Sequence, residues 1–132
     1  MELIDFDKDF FNKLEGKEKV LIKPEGHYHC IKIGREKIGV VGFIPGNKGA
    51  GFIQIIISPS SRGKGYTKLA EDLLAKNYDL KWLWATIDND NIASIRAHLR
   101  TGFKMLSDEE IKKLQLKGFL GKNKTRMFKN YS

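Results

Sequence analysis

The chain has 132 residues, 41% of them apolar, and a single cysteine, which is enough for one cored domain but not for two domains or a disulfide framework. Its formal net charge is +8, from 24 Lys and Arg against 16 acids. The start, Met1-Glu2-Leu3-Ile4-Asp5, lacks the basic-then-apolar order of a secretory leader, and no apolar run approaches the ~20 residues of a membrane span. These features disfavour a secreted knot, a membrane protein and a multidomain enzyme, and lone Cys30 fits a reducing, cytoplasmic compartment.

Phe10, Phe11 and Leu14 recur at helical spacing, so residues 7–19 are expected to be helical, with Gly16 weakening the end. Two β runs, 27–33 and 37–45, flank Gly34-Arg35-Glu36 and predict a hairpin. A third strand is expected over 50–58, centred on Phe52-Ile53-Gln54-Ile55-Ile56-Ile57 and stopped at Pro59, which cannot donate to a ladder. A basic loop, Ser60-Ser61-Arg62-Gly63-Lys64-Gly65, leads into a helix over 66–77, with Leu69, Ala70, Leu73 and Leu74 assigned to its apolar stripe. Residues 81–87 read as a strand carrying Trp82 and Trp84 on one face. Asp88-Asn89-Asp90-Asn91 has turn and cap chemistry, a helix over 91–101 follows, and Gly102 suits its left-handed cap. A short strand over 103–106, a helix over 108–117 behind the Ser107-x-x-Glu110 capping box, and a strand over 124–129 complete the chain. Hairpins first and alternating helices and strands afterwards imply an α/β or α+β domain built on a mixed sheet.

The charge is uneven. Residues 1–25 carry seven acids and five lysines, whereas seven cations and no acid follow Glu110. Such a field suits an anionic partner, whether nucleic acid, an acidic membrane surface or a phosphorylated small molecule, or serves solubility alone.

The segment from Ile57 to Thr67 is the most informative. A strand ends, a glycine-rich loop follows and a helix begins, which presents free N–H groups at the positive end of a helix, while glycine lets the backbone approach an anion. Arg62 and Lys64 add charge. The segment lacks the Walker pattern, and Lys68 stands where a dinucleotide fingerprint needs its third glycine. Arg62-Gly63-Lys64-Gly65-Tyr66-Thr67 instead resembles the arginine-x-x-glycine-x-small loop of the Gcn5-related N-acetyltransferases, the GNAT family, and Ile57-Ser58-Pro59 resembles the Val-x-Pro that ends that family's fourth strand. A second segment, Asn91 to Phe103, is similar to the family's Asn-x-x-Ala/Ser-x-x-x-Tyr-x-x-x-Gly-Phe helix, at the right separation from the loop. The resemblance covers residues 50–106 and extends to the hairpin at 27–45.

The resemblance implies a mostly antiparallel sheet, flanked by helices and splayed between the strands at 50–58 and 81–87, with acetyl-CoA held in the opening. The main chain of Ile55, Ile56 and Ile57 would pair with the pantetheine arm, and the Ile57 amide would polarise the thioester. The amides of Gly63, Lys64, Gly65, Tyr66 and Thr67 would hold the pyrophosphate, with the charges of Arg62 and Lys64 beside them. Asn91, Ser94 and His98, spaced i, i+3, i+7, would form one polar stripe beside the groove. His98 stands where the family usually has a proton-donating tyrosine. Its ordinary pKa near 6.5 suits the role of acid for the departing thiolate, and lining the groove is its alternative. The strand at 50–58 has no acid, so base catalysis is expected to run through water. Gln54 could orient that water, and His27, Tyr28 and His29 are alternatives.

These expectations describe a single acetyltransferase domain over 1–132 with an abbreviated N-terminal helical region. It would move an acetyl group from acetyl-CoA to a primary amine of a small molecule or a peptide. The short N-terminal region would leave the acceptor site open. No metal is called for, since no Cys/His spacing motif joins His27, His29 and His98. The cations beyond Glu110 hint at an acidic acceptor, and the chain would act as a monomer or a homodimer. The alternatives are a small basic nucleic-acid-binding module, for which no aromatic-plus-basic motif speaks, and a CoA-binding relative without turnover.

Overall fold

The computed structural model describes residues 1–131. In chain order the elements are β1 (Glu2–Asp5), α1 (Lys8–Asn12), β2 (His27–Ile33), β3 (Glu36–Pro45), β4 (Ala50–Ile57), α2 (Tyr66–Asn77), β5 (Trp82–Asp88), α3 (Ile92–Arg100), β6 (Lys104–Met105), α4 (Asp108–Leu116) and β7 (Lys124–Asn130). The strands form one sheet in the order β1-β2-β3-β4-β5-β7-β6. Every neighbouring pair is antiparallel except β4 and β5.

Strand alternation sorts the apolar residues onto two faces. Ile31, Val41, Ile57 and Leu83 pack beneath α2 and α3 with Ala70, Leu74 and Phe103. Their strand neighbours Cys30, Val40 and Ile56 face the other way, against Phe11, Leu14 and Val20 from the N-terminal segment.

Three sequence expectations need correction. The helix expected over 7–19 is one short α-helix, Lys8–Asn12, and a separate 3-10 turn, Lys17–Lys19. Gly16 divides them, because its φ of +87° is left-handed and cannot continue a helix. Glu2–Asp5 forms an edge strand on β2 that its four residues do not announce. The buried stripe of α2 is Ala70, Glu71, Leu74 and Ala75, while Leu69 is 53% exposed. The capping box on α4 forms as its spacing predicts.

The parallel pair β4–β5 positions the site. Its ladder joins Ala50, Gly51 and Phe52 to Trp82, Leu83 and Trp84, and there it stops. β4 continues to Ile57 on its β3 partner and β5 continues to Asp88 on β7, so the two strands separate in the middle of the sheet.

Candidate active site

Where β4 leaves β5, its inner edge no longer faces a neighbouring strand. The Ser58 amide donates to the Ile38 carbonyl on the β3 side. Because successive peptide groups point to opposite sides of a strand, the amide and carbonyl of Ile57 turn toward the opening, as do those of Ile55 and Ile53. The opening holds a cavity of about 370 Å³ between Ile53–Ile55 of β4 and Ala85–Asp88 of β5, with Asn91, Ser94 and His98 along the α3 side.

The basic loop sits at the end of β4. A 3-10 turn, Pro59–Ser61, leads to Gly63 and Gly65, both left-handed at φ +76° and +79°. A Cβ added at either would meet no protein atom within 4 Å, so both backbones border open space. α2 begins at Tyr66 with no side-chain cap, leaving its first amides without intrahelical partners. A second cavity, about 310 Å³, lies over this loop between Gly63, Gly65, Tyr66 and Thr67 and the small residues Ala93 and Ala97 of α3. Lys64 is exposed at the loop. Arg62 is also exposed, but its Nε donates to the Ile57 carbonyl at 2.9 Å. Its guanidinium therefore ties the loop back to the strand as well as charging it.

The polar stripe on α3 forms as its spacing implies. The Asn91 oxygen caps the helix by accepting from the Ser94 amide at 3.2 Å. His98 is buried, with its ring edge-on to Phe103. Its Nδ1 lies 2.8 Å from the Ser94 carbonyl and 3.5 Å from the Ser94 hydroxyl, and its Nε2 lies 3.3 Å from Oε2 of Glu71. A carbonyl can only accept, so Nδ1 carries a proton, and a second proton bridges Nε2 and Glu71. Glu71, on the buried stripe of α2, is 1% exposed, and its Oε1 has no hydrogen-bond partner among the described residues. Burial pulls the His98 imidazolium down, but the hydrogen bond and charge of Glu71 and the Ser94 contact outweigh it, and its pKa stands above the ordinary value.

Sequence reasoning passed over Glu71. The signal was its position, one residue after Ala70 and three before Leu74, on the stripe that faces α3.

Other predicted residues lie elsewhere. His29 bonds the Ile4 carbonyl and the Tyr78 hydroxyl, and His27 stacks on Phe43 beside Tyr78. Both therefore flank the C-terminal end of α2, away from the opening. Tyr28 bonds the backbone of Leu21 and Lys23. Gln54 does line the opening, but its oxygen accepts the Leu21 amide at 2.8 Å, anchoring the segment after the 3-10 turn. The carboxylates that reach the opening come from outside β4: Glu18 on that turn, and Asp88 at the end of β5, which pairs with Lys124. No group of three His, Cys, Asp or Glu among the described residues could hold a metal ion. None of the described helices is long and apolar enough to cross a membrane.

Among the described residues, three of the seven cations after Glu110 have a carboxylate partner. Lys124 pairs with Asp88, Lys129 with Asp72 at 2.9 Å, and Lys113 lies 3.8 Å from Glu109.

Comparison with known proteins places this arrangement in a family. The model described as an acetyltransferase (GNAT) domain matches residues 8–104. No curated protein matches the chain by sequence. Among solved structures, an acetyltransferase from Bacillus subtilis in complex with CoA superposes with a TM-score of 0.71 at 15% identity, over 99% of this chain and 97% of that one. A chimera of the spermidine N-acetyltransferase SpeG from Vibrio cholerae and hSSAT gives 0.69 at 15% identity, over 98% and 94%. The microcin C7 self-immunity acetyltransferase MccE, in complex with acetyl-CoA and AMP, gives 0.64 at 21% identity, over 80% and 61%.

Proposed function

Since the chain belongs to the GNAT acetyltransferase family, we propose that it transfers an acetyl group from acetyl-CoA to a primary amine in the opening between β4 and β5. One observation carries this reading: the β4–β5 ladder ends at Phe52 and Trp84, and the free edge it leaves runs to an uncapped helix behind two left-handed glycines. The residues fit the cofactor. The amides from Gly63 to Thr67 would hold the pyrophosphate, and the edge of Ile55–Ile57 would pair with the pantetheine arm as a further strand does. The Ile57 amide, aimed into the opening, would polarise a carbonyl placed there.

When bound, acetyl-CoA supplies a thioester whose C–S bond breaks as the C–N bond to the amine forms, so the nitrogen loses a proton and the sulfur gains one. His98 holds that second proton. Neither of its nitrogens is free, since Nε2 is engaged by Glu71 and Nδ1 by Ser94. Loss of the Nδ1 proton, relayed by the Ser94 hydroxyl 3.5 Å away, would leave a neutral imidazole whose Nε2 still donates to Glu71, and Ser94 lines the opening. The amine's proton passes to water, in an opening that the exposed Glu18 also lines.

Titration calorimetry with acetyl-CoA should give saturable binding well below millimolar ligand, and incubation with a panel of amines should release CoA. Absence of binding at millimolar acetyl-CoA would overturn the reading. Binding without release by any amine would leave a CoA-binding protein that has lost turnover.

A further inference from the structure

Arg126 is the cation on β7 that its neighbours do not explain. Lys124 and Lys129, two and three positions away, each pair with an aspartate. Arg126 pairs with no carboxylate among the described residues. Its Nε donates to the Thr86 hydroxyl at 3.2 Å, and its guanidinium lies 5.1 Å from the centre of the Phe52 ring. It is half-buried, and burial pushes its pKa down. A guanidinium stays charged under such a shift, so a partly desolvated one without an anion favours a ligand that brings one.

The surroundings describe that ligand. Arg126 lines a cavity of about 670 Å³ between α4 and the β4–β5–β7 face. Phe52, Trp84 and Phe119 give it aromatic walls, and Phe119 is 68% exposed. Lys113 and Lys117 also border it. Glu110 is the acid on its lining, and that carboxylate is held by the Ser107 amide and hydroxyl in the capping box. The cavity is thus apolar, aromatic and net positive. Thr86 connects it to the catalytic opening, because its side chain takes the Arg126 hydrogen bond while the residue lines the opening beside Ala85 and Ile87.

We propose that this cavity receives the acetyl acceptor, and that the acceptor is a small aromatic amine bearing a carboxylate, such as an aromatic amino acid, with the carboxylate held by Arg126. The inference rests on the acetyl-transfer reading for the term acceptor, but its binding chemistry stands on the cavity alone. A guanidinium offers two parallel N–H donors to a carboxylate, and the rings of Phe52 and Trp84 suit a flat apolar body. With its carboxylate on Arg126, the ligand would extend its amine past Thr86, which borders the opening. A polyamine, by contrast, would set its charges against Arg126, Lys113 and Lys117.

The test is a fluorescence titration of the full chain without acetyl-CoA, since Trp84 lines the cavity and reports occupancy. L-Phenylalanine should bind at least tenfold more tightly than L-phenylalanine amide, which lacks the negative charge. Arg126→Met should erase that preference, Arg126→Lys should keep part of it, and Trp84→Phe should lose most of the signal. Equal affinities, no response to millimolar L-phenylalanine, tighter binding of spermidine, or a preference that survives Arg126→Met would each overturn the proposal. The comparison of acid and amide on the unaltered protein needs no variant to fold. Acetyl-CoA calorimetry on the same sample separates the two readings: acetyl-CoA bound with no acid preference overturns this pocket alone, whereas no acetyl-CoA binding overturns the transfer reading.

Discussion

Replacing Gly65 with valine is expected to lower acetyl-CoA affinity at least a hundredfold. Two effects add. The residue sits at φ +79°, where a β-branched side chain is strained by about 1–3 kcal/mol. Its Cβ would also project into the open space over the loop, where no protein atom lies within 4 Å and where an anion must come close to the backbone. Gly34→Ala is the control. That glycine is equally left-handed and equally open, at φ +58° in the β2–β3 turn, so it carries comparable strain without facing the site. Calorimetry should find acetyl-CoA binding lost in Gly65→Val and retained in Gly34→Ala. Equal binding by Gly65→Val and the unaltered chain would remove the loop as the pyrophosphate cradle.

The second large effect concerns the buried pair. Glu71→Ala leaves His98 in the interior without its partner and is expected to cost about 3–5 kcal/mol in denaturant unfolding. Glu71→Gln keeps the shape and isolates the charge. The folded pKa of His98 is raised, so the stability the pair contributes is fully present below histidine's unfolded value near 6.5 and is lost as pH rises through the folded value. The stability gap between the unaltered protein and Glu71→Gln should therefore narrow as pH increases from 6.5. The ring signals of His98 should titrate above ordinary histidine, and in Glu71→Gln they should move down. If His98 is the proton source, His98→Phe lowers turnover more than acetyl-CoA affinity. Unchanged turnover in that variant, together with an unshifted His98 in Glu71→Gln, would reduce the pair to a structural tie between α2 and α3.

Much of this was legible before any coordinates, and the reasons are local. Proline, glycine and capping residues act within a few positions. Pro59 therefore closes β4, the Ser107–Glu110 box opens α4, and the Tyr66–Asn77 helix falls where the periodicity puts it. The two motifs around Gly63–Gly65 and Asn91–His98 located the loop and the stripe, which the fold sets along two cavities that both border α3. What stayed hidden depends on partners distant in the chain. β1 is a strand only because β2 completes its hydrogen bonds. Glu71 has no visible partner in the sequence until α3, 27 positions later, supplies His98. Leu69, read as core, lies exposed because one register of α2 faces the sheet and the neighbouring one does not. Arg126 looked like one more charge in a basic tail until β7 paired with β5 and set it against Thr86 and Phe52.

The chain's one cysteine bears on how its chemistry can be watched. Cys30 lies at 0% exposure between Ile4 and Val40, where burial pushes its pKa up and its sulfur accepts a hydrogen bond from the Asp7 amide. An aromatic disulfide reagent reacts with a thiolate that it can reach, and this one is withheld on both counts. In the folded protein Cys30 would add no colour of its own, so an optical assay of released CoA would carry no thiol signal from the protein. The same reagent added without substrates would turn yellow only as β2 and the segment packed on it come apart, giving a direct clock for opening of that side of the sheet.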